Sequence, residues 1–464
     1  MTAKPICALL AAVLIAGTLA GTALGKEGFF PYEIHKKTLE NGLDVIVIPM
    51  PEFKDVLSYN TLVLAGARNE VEPGKSGLAH LFEHILFRHR WQDVDGGYTE
   101  TIKKMGAFNN AWTWFDVTFY HPLTFTSNLD TLALLESSRF TDLDFTKKIF
   151  QTEAGAVLGE YRNSAANPGL KMAEVRLGLL YGSYGYGHTT IGFLEDVEDM
   201  PNEYEAAIDF YDTYYRPNNC VLIVTGDVDP NEIYGLAERM YGDWKPKKVP
   251  EIPGAEPVGG PKREDLDWEA EVPPRVQVSY RMPPFETGEV ETGVGQLLPE
   301  LLASDTAPLY QLLRFEKKTA ASLSANKSTY ESFGPGSLVV SATLFKEIYD
   351  EKGDALLDET VADIEQAMKD LQSFSSRADA EQTLEELKSK FTYDLLGSFD
   401  SPGDVAETFA WYYRFARDEN VFDALVETIR TVTPEDVDAF ARAYFEPENQ
   451  VVVTLAHKGE EDES

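Results

Sequence analysis

The sequence predicts an α+β fold built from two homologous domains, each a mostly antiparallel sheet with helices packed mainly on one face. Three observations carry that reading. At 464 residues the chain exceeds the size at which one core keeps growing. Segments of strand and helix periodicity alternate along it. The stretch Phe210-Tyr-Asp-Thr-Tyr-Tyr-Arg-Pro-Asn-Asn-Cys-Val-Leu-Ile-Val224 recurs 230 residues later as Phe440-Ala-Arg-Ala-Tyr-Phe-Glu-Pro-Glu-Asn-Gln-Val-Val-Val-Thr454, with Phe, Tyr, Pro, Asn and Val in register. Each copy reads as a helix that stops before a proline and leads into a buried strand. Two copies imply a duplicated unit of about 220 residues.

In chain order, residues 1–25 read as a signal peptide. Lys4 supplies the positive end, Ile6 to Ala23 is apolar, and Ala23-Leu24-Gly25 offers small residues for cleavage before Lys26. An uncleaved anchor is the competing reading, because the run approaches membrane-spanning length. Cleavage leaves no span, and implies an exported, periplasmic protein. Cys7 falls in the signal, so Cys220 stands alone and no internal disulfide is expected. The first domain is expected over 26–244. Asn41-Gly42 marks a turn, Asp44 to Ile48 a strand, and Leu57 to Ala65 the next strand. A helix follows over Gly77 to Phe87, with Gly74 and Ser76 before it as turn and cap residues. Tyr98 to Met105 reads as a helix and Phe108 to Tyr120 as strand. Leu129 to Phe140 and Phe145 to Asn163 read as two more helices. Lys245 to Pro261, rich in Pro, Gly and Lys, reads as a linker over 245–261. The second domain is expected over 262–458 and an acidic tail over 459–464.

The formal charge of −36 argues against nucleic-acid binding, which needs a basic footprint. The chemistry is concentrated in His80-Leu-Phe-Glu-His84. Histidines four apart lie one turn apart on one helix face, where two imidazoles can grip one tetrahedral zinc. Glu83 borders that face and can take a proton from an attacking water. H-x-x-E-H is the inverzincin pattern. Farther on, Ile149, Glu153, Ala156 and Glu160 form a stripe beside the apolar Phe150, Ala154, Val157 and Tyr161. Spacing alone does not separate those glutamates from solvated ones.

His80, Glu83 and His84, with Glu153 and Glu160 downstream, resemble the pitrilysin, insulysin and mitochondrial processing peptidase family. So do Asn110-Ala-Trp-Thr-Trp-Phe-Asp116 with Thr118 and Tyr120, Gly187-His188 with Ile191-Gly192, and Tyr214 to Asn219 with Gly226-Asp227. The resemblance runs from about Thr38 to the end. It implies the processing-peptidase-like metallohydrolase fold, one Zn²⁺ per chain held by His80, His84 and Glu160, Glu83 as general base, and Glu153 supporting the site. It also implies that Asn110, Ala111, Trp112 and Thr113 bind unfolded peptides as an added strand. The second half holds one histidine, His457, and no H-x-x-E-H, so it encloses substrate without a second centre. The family's Arg and Tyr pair, seven residues apart, matches at Arg314, while the Tyr position is Ala321. A homologous zinc-lacking subunit that supplies the pair is therefore expected as partner, a homodimer being the other form, with Tyr330 an internal substitute. The alternative is a non-catalytic structural or chaperone-like subunit.

Overall fold

The computed structural model describes residues 28–90, 97–183, 185–327 and 333–457. The expected signal peptide, the acidic tail and Tyr330 lie outside the described residues.

The first half supplies β1 (His35–Thr38), β2 (Asp44–Pro49), β3 (Val56–Val63), β4 (Ala111–Thr113), β5 (Thr118–Tyr120), β6 (Leu123–Phe125) and β7 (Cys220–Gly226). The second supplies β8 (Lys262–Asp267), β9 (Arg275–Arg281), β10 (Ala320–Asn326), β11 (Ser337–Leu344) and β12 (Gln450–Ala456). The sheets run β1-β2-β7-β3-β5-β4, with β6 beside β3, and β10-β11-β9-β12-β8. The duplication is explicit in this order. The repeat strands β7 and β12 each take a parallel neighbour on one side, β2 or β8, and an antiparallel one on the other, β3 or β9. Each follows a helix, Tyr204–Tyr214 or Pro434–Tyr444, that ends in a single 3₁₀ turn begun by Pro217 or Pro447. Proline cannot continue the helix, and it suits the first position of the new turn.

The Asn41-Gly42 turn joins β1 to β2, with Gly42 at φ 90°. Phe108 to Tyr120, expected as one strand, is instead the hairpin of β4 and β5. Trp114 N–H donates to Val117 O, and the buried Asp116 accepts from Arg68 and from the Tyr186 hydroxyl. That buried carboxylate fixes a turn made without Gly or Pro.

Each sheet also borrows a helix. On one face of the first sheet, Val45, Val47, Tyr59 and Val63 pack with helices of their own half. On the other face, Ile46, Ile48, Leu62, Phe119, Val221 and Ile223 join the core of the second half, where the helix Pro402–Ala416 lies across β3 and β7. In return the helix Pro168–Tyr181 lies on β12, with Met172, Leu177 and Leu180 against Val451, Val453 and Leu455. The strands are therefore apolar on both faces. Asp44, buried on β2, accepts from Thr38, Tyr413 and Arg417 and ties the halves together. Burial works against that charge, but the Thr38 bond and the Arg417 guanidinium prevail and hold the carboxyl below its usual range.

Candidate metal centre

His80, Glu83 and His84 project from the helix Leu78–Leu86. Leu81, Phe82, Ile85 and Leu86 bury its other face. The helix start differs from expectation. Gly77 is the cap residue, at φ 92°, and no side chain of its own caps it. Ser76 instead bonds Asp196. The end of the helix is satisfied by Glu70, which accepts from the Gly77 and Ala79 amides at 2.7 and 2.6 Å. Its carboxylate meets the positive end of the helix dipole. Burial nonetheless pushes Glu70 up to about 8. At the opposite side, the Tyr120 hydroxyl donates to Phe82 O, one residue before Glu83, and also meets the Tyr215 hydroxyl. The backbone carrying the motif is thus pinned at two points.

The helix Lys147–Ala165 begins with Thr146, whose side chain accepts from the Ile149 amide. It buries Phe150, Ala154, Val157 and Tyr161, which turns Glu153 and Glu160 toward the histidines. Donor atoms of His80, His84 and Glu160 lie within 4.8 Å of one another. His80 Nε2 and His84 Nε2 each stand 3.6 Å from a Glu160 oxygen. That is too long for a hydrogen bond. It is close to the roughly 3.3 Å expected between two ligands of one tetrahedral zinc at about 2.0–2.1 Å each. The donor set, two imidazoles and a carboxylate, suits zinc with a fourth position open. Burial, then the neighbouring His84 ring, pushes His80 down to about 4 and keeps it neutral, the form that ligates metal. The residues present fit the ion.

Glu153 is buried and is not part of that group of three. Its Oε2 stands 3.6 Å from His84 Nδ1, and its Oε1 forms an ion pair with Arg88 Nε at 2.8 Å. It can orient the far side of the His84 ring. Glu83 accepts from Thr113 Oγ1 at 2.7 Å, which fixes the carboxylate against the strand β4. Burial raises its carboxyl above the usual range, and the Thr113 bond works the other way. His80 and Glu160 line a cavity of about 470 Å³, and Glu160 is half-exposed to it.

Asn110, Ala111, Trp112 and Thr113 are at or beside the outer edge of the first sheet, because β4 pairs with β5 and ends the strand order. Asn110 is exposed; Ala111 is buried. Arg314 is elsewhere. It sits in a short π-helical turn of the second half and donates to Ala320 O beside the edge strand β10. The sequence reading missed Glu70 and Arg88. Arg88 continues the spacing of four set by His80 and His84, which is a readable signal. Glu70 has only an indirect one: a helix that starts at glycine must find its cap elsewhere.

Residues 46–191 match the family described as Insulinase (Peptidase family M16), and residues 203–387 match the Peptidase M16 inactive domain. The chain is 27% identical over 408 residues to the zinc protease PqqE of Helicobacter pylori, covering 84% of this chain and 86% of that protein. It is 25% identical over 422 residues to YmfH of Bacillus subtilis, described as an uncharacterized zinc protease, covering 87% and 92%. Among solved structures, a protease from Helicobacter pylori matches with a TM-score of 0.81 at 24% identity, covering 92% of this chain and 99% of that one. Pitrilysin matches with a TM-score of 0.71 at 20% identity, covering 92% and 45%. At these identities the two structures speak to the fold.

Proposed function

Since the chain belongs to peptidase family M16, the insulinase family, we propose that it is a zinc-dependent endopeptidase acting on unfolded peptides. The observation that carries this is the meeting of three donors, His80, His84 and Glu160, with a carboxylate, Glu83, that an edge strand holds in place. When bound there, zinc supplies Lewis-acid polarisation of water and of the scissile carbonyl. The chain's own residues do the rest. The free edge of β4 pairs with the backbone of an extended peptide, so side-chain demands are loose along most of its length. Thr113 aims Glu83, which takes the proton of the attacking water and passes it to the leaving amine. Glu153, paired with Arg88, puts its charge beside the far nitrogen of His84 and biases the ring's orientation.

The chamber is completed by a second subunit of the same architecture. Arg314 is committed to the Ala320 carbonyl, and Ala321 stands where the family pattern has Tyr. A zinc-lacking homologue that brings its own Arg and Tyr fits best, and a homodimer is the other arrangement. The protein works outside the cytoplasm, in the periplasm. The leader-like residues 1–25 support this, as does the similarity to PqqL of Escherichia coli, whose structure is described as that of a periplasmic protease. Among the described residues no helix is long and apolar enough to cross a membrane.

The test is hydrolysis of a pool of unstructured peptides by the chain from Lys26 onward, with and without chelator, alongside its sedimentation behaviour. Chelator-sensitive cleavage by a dimer supports the zinc peptidase in its homodimeric arrangement. Cleavage by a monomer removes the second subunit, bound zinc without cleavage by the chain on its own supports the need for that subunit, and no bound zinc leaves the chain a structural or chaperone-like subunit.

A further inference from the structure

Strand β4 has two faces. Ala111 and Thr113 face the histidine helix, where Thr113 meets Glu83. Trp112 and, just past the strand, Trp114 point the other way, into the core shared with the second half. There their rings stand 5.8 and 6.3 Å from the ring of Trp411 on the helix Pro402–Ala416. Beside them opens a cavity of about 940 Å³ between the edge of the first sheet and two helices of the second half, Ala380–Gly397 and Pro402–Ala416. Its walls include Trp112, Trp114, Trp411 and Tyr412. Four carboxylates join them, Asp394, Asp400, Asp404 and Glu407, and no Lys, Arg or His is among the lining residues. Asp394 is already paired with Lys390 and Asp404 accepts from Ser401. Glu407, whose burial works against its charge, lies against the Trp112 side chain, which favours the charged form and leaves it facing the indoles. Asp400 and Glu407 are therefore the carboxylates best placed for a guest.

A peptide strand paired to the free edge of β4 has the same alternation as β4 itself. Residues level with Thr113 face Glu83 and the metal residues. Their neighbours on either side face the tryptophans. We propose that this cavity is a specificity subsite that takes a lysine or arginine side chain of the bound peptide, on the sheet face opposite the metal centre. The chemistry matches in both parts of such a side chain. Its aliphatic stem lies along indole faces, and its charged end meets ring faces and carboxylates. The volume admits alternate side chains of one strand together. This assignment rests on the reading in which β4 receives the peptide.

Two unstructured peptides with no other ionisable side chain are compared, identical except that one carries arginine where the other carries citrulline, a near-isosteric neutral side chain. Binding is read by anisotropy of a labelled peptide and by tryptophan emission, since three of the six tryptophans line this cavity. The full chain carrying Glu83→Gln is used so that the peptides stay intact. The arginine peptide is expected to bind about tenfold tighter. The ratio is expected to fall to about one when Asp400→Asn and Glu407→Gln are added. Equal affinities before those changes, or a preference that survives them, would overturn the assignment. The same peptides are then offered to the chain with Glu83 intact. Cleavage without arginine preference removes the subsite and leaves the peptidase. Arginine-selective binding without cleavage keeps the subsite and leaves cleavage to the chain completed by its second subunit.

Discussion

Glu70 offers a direct way to ask what positions the histidine helix. It closes the helix start that Gly77 leaves uncapped, accepting from two backbone amides. In Glu70→Ala both amides lose their partner in a buried place. An unsatisfied buried donor costs about 1–3 kcal/mol, so two cost about 2–6 kcal/mol. Burial already works against the ionised Glu70, so its removal returns part of that, and the lower half of the range is expected. Glu70→Gln keeps one acceptor oxygen, as the protonated acid does, so it should cost less than Glu70→Ala. The assay is denaturant unfolding, with the midpoint shifting and the slope unchanged. The pH dependence has a defined sign. The folded-state value of about 8 lies above the ordinary 4.5, so the folded chain holds the extra proton between them. The Glu70 contribution is therefore fully present below about 4.5, declines as pH rises, and levels off above about 8. The stability of the native chain relative to Glu70→Gln should fall over that window. A Glu70→Ala chain as stable as the native one, or a difference that grows with pH, would refute this account of the helix start.

Three further outcomes follow from the geometry. Thr113→Val should leave zinc bound but lower kcat about tenfold, since it frees Glu83 from its hydrogen bond to Thr113; steady-state kinetics with metal analysis reads both. Arg88→Ala, which releases Glu153, should weaken zinc binding about tenfold without abolishing it, measured by competition with a chromophoric chelator. Asp44→Asn should cost about 1–3 kcal/mol in thermal or denaturant unfolding. Because the Asp44 carboxyl is held below its usual 3.8, its contribution is present above that value and lost as pH falls below it, so the native chain should show an acid-side loss that the variant lacks.

Much of the site was legible because its chemistry is local. His80, Glu83 and His84 sit within one turn and a half of one helix, and a period of 3.6 dictates their shared face. The repeat at Phe210 and Phe440 gave the duplication, since proline and a run of β-branched residues mark the same helix-to-strand joint twice. Glu160 was different. Its approach to the histidines depends on how two helices cross, which spacing cannot supply, so only the resemblance pointed to it. The hairpin within Phe108 to Tyr120 was hidden for a related reason. Nothing in Trp114 to Val117 breaks a strand locally; the turn is held by Asp116 through Arg68 and Tyr186, partners 48 and 70 residues away. The exchange of helices between halves was equally invisible. Met172 and Val405 look like ordinary core residues whichever sheet they cover.

The central claim is that His80, His84 and Glu160 hold one catalytic zinc with Glu83 as the base. The most direct test is zinc content by mass spectrometry beside peptide hydrolysis, for the native chain, Glu83→Gln and Glu160→Ala, assayed with whatever partner subunit the native chain requires. The account predicts one zinc per chain in the native protein and in Glu83→Gln, a clear loss in Glu160→Ala, and cleavage by the native protein alone. A native chain that binds no zinc, or a Glu83→Gln chain that still cleaves, would contradict it.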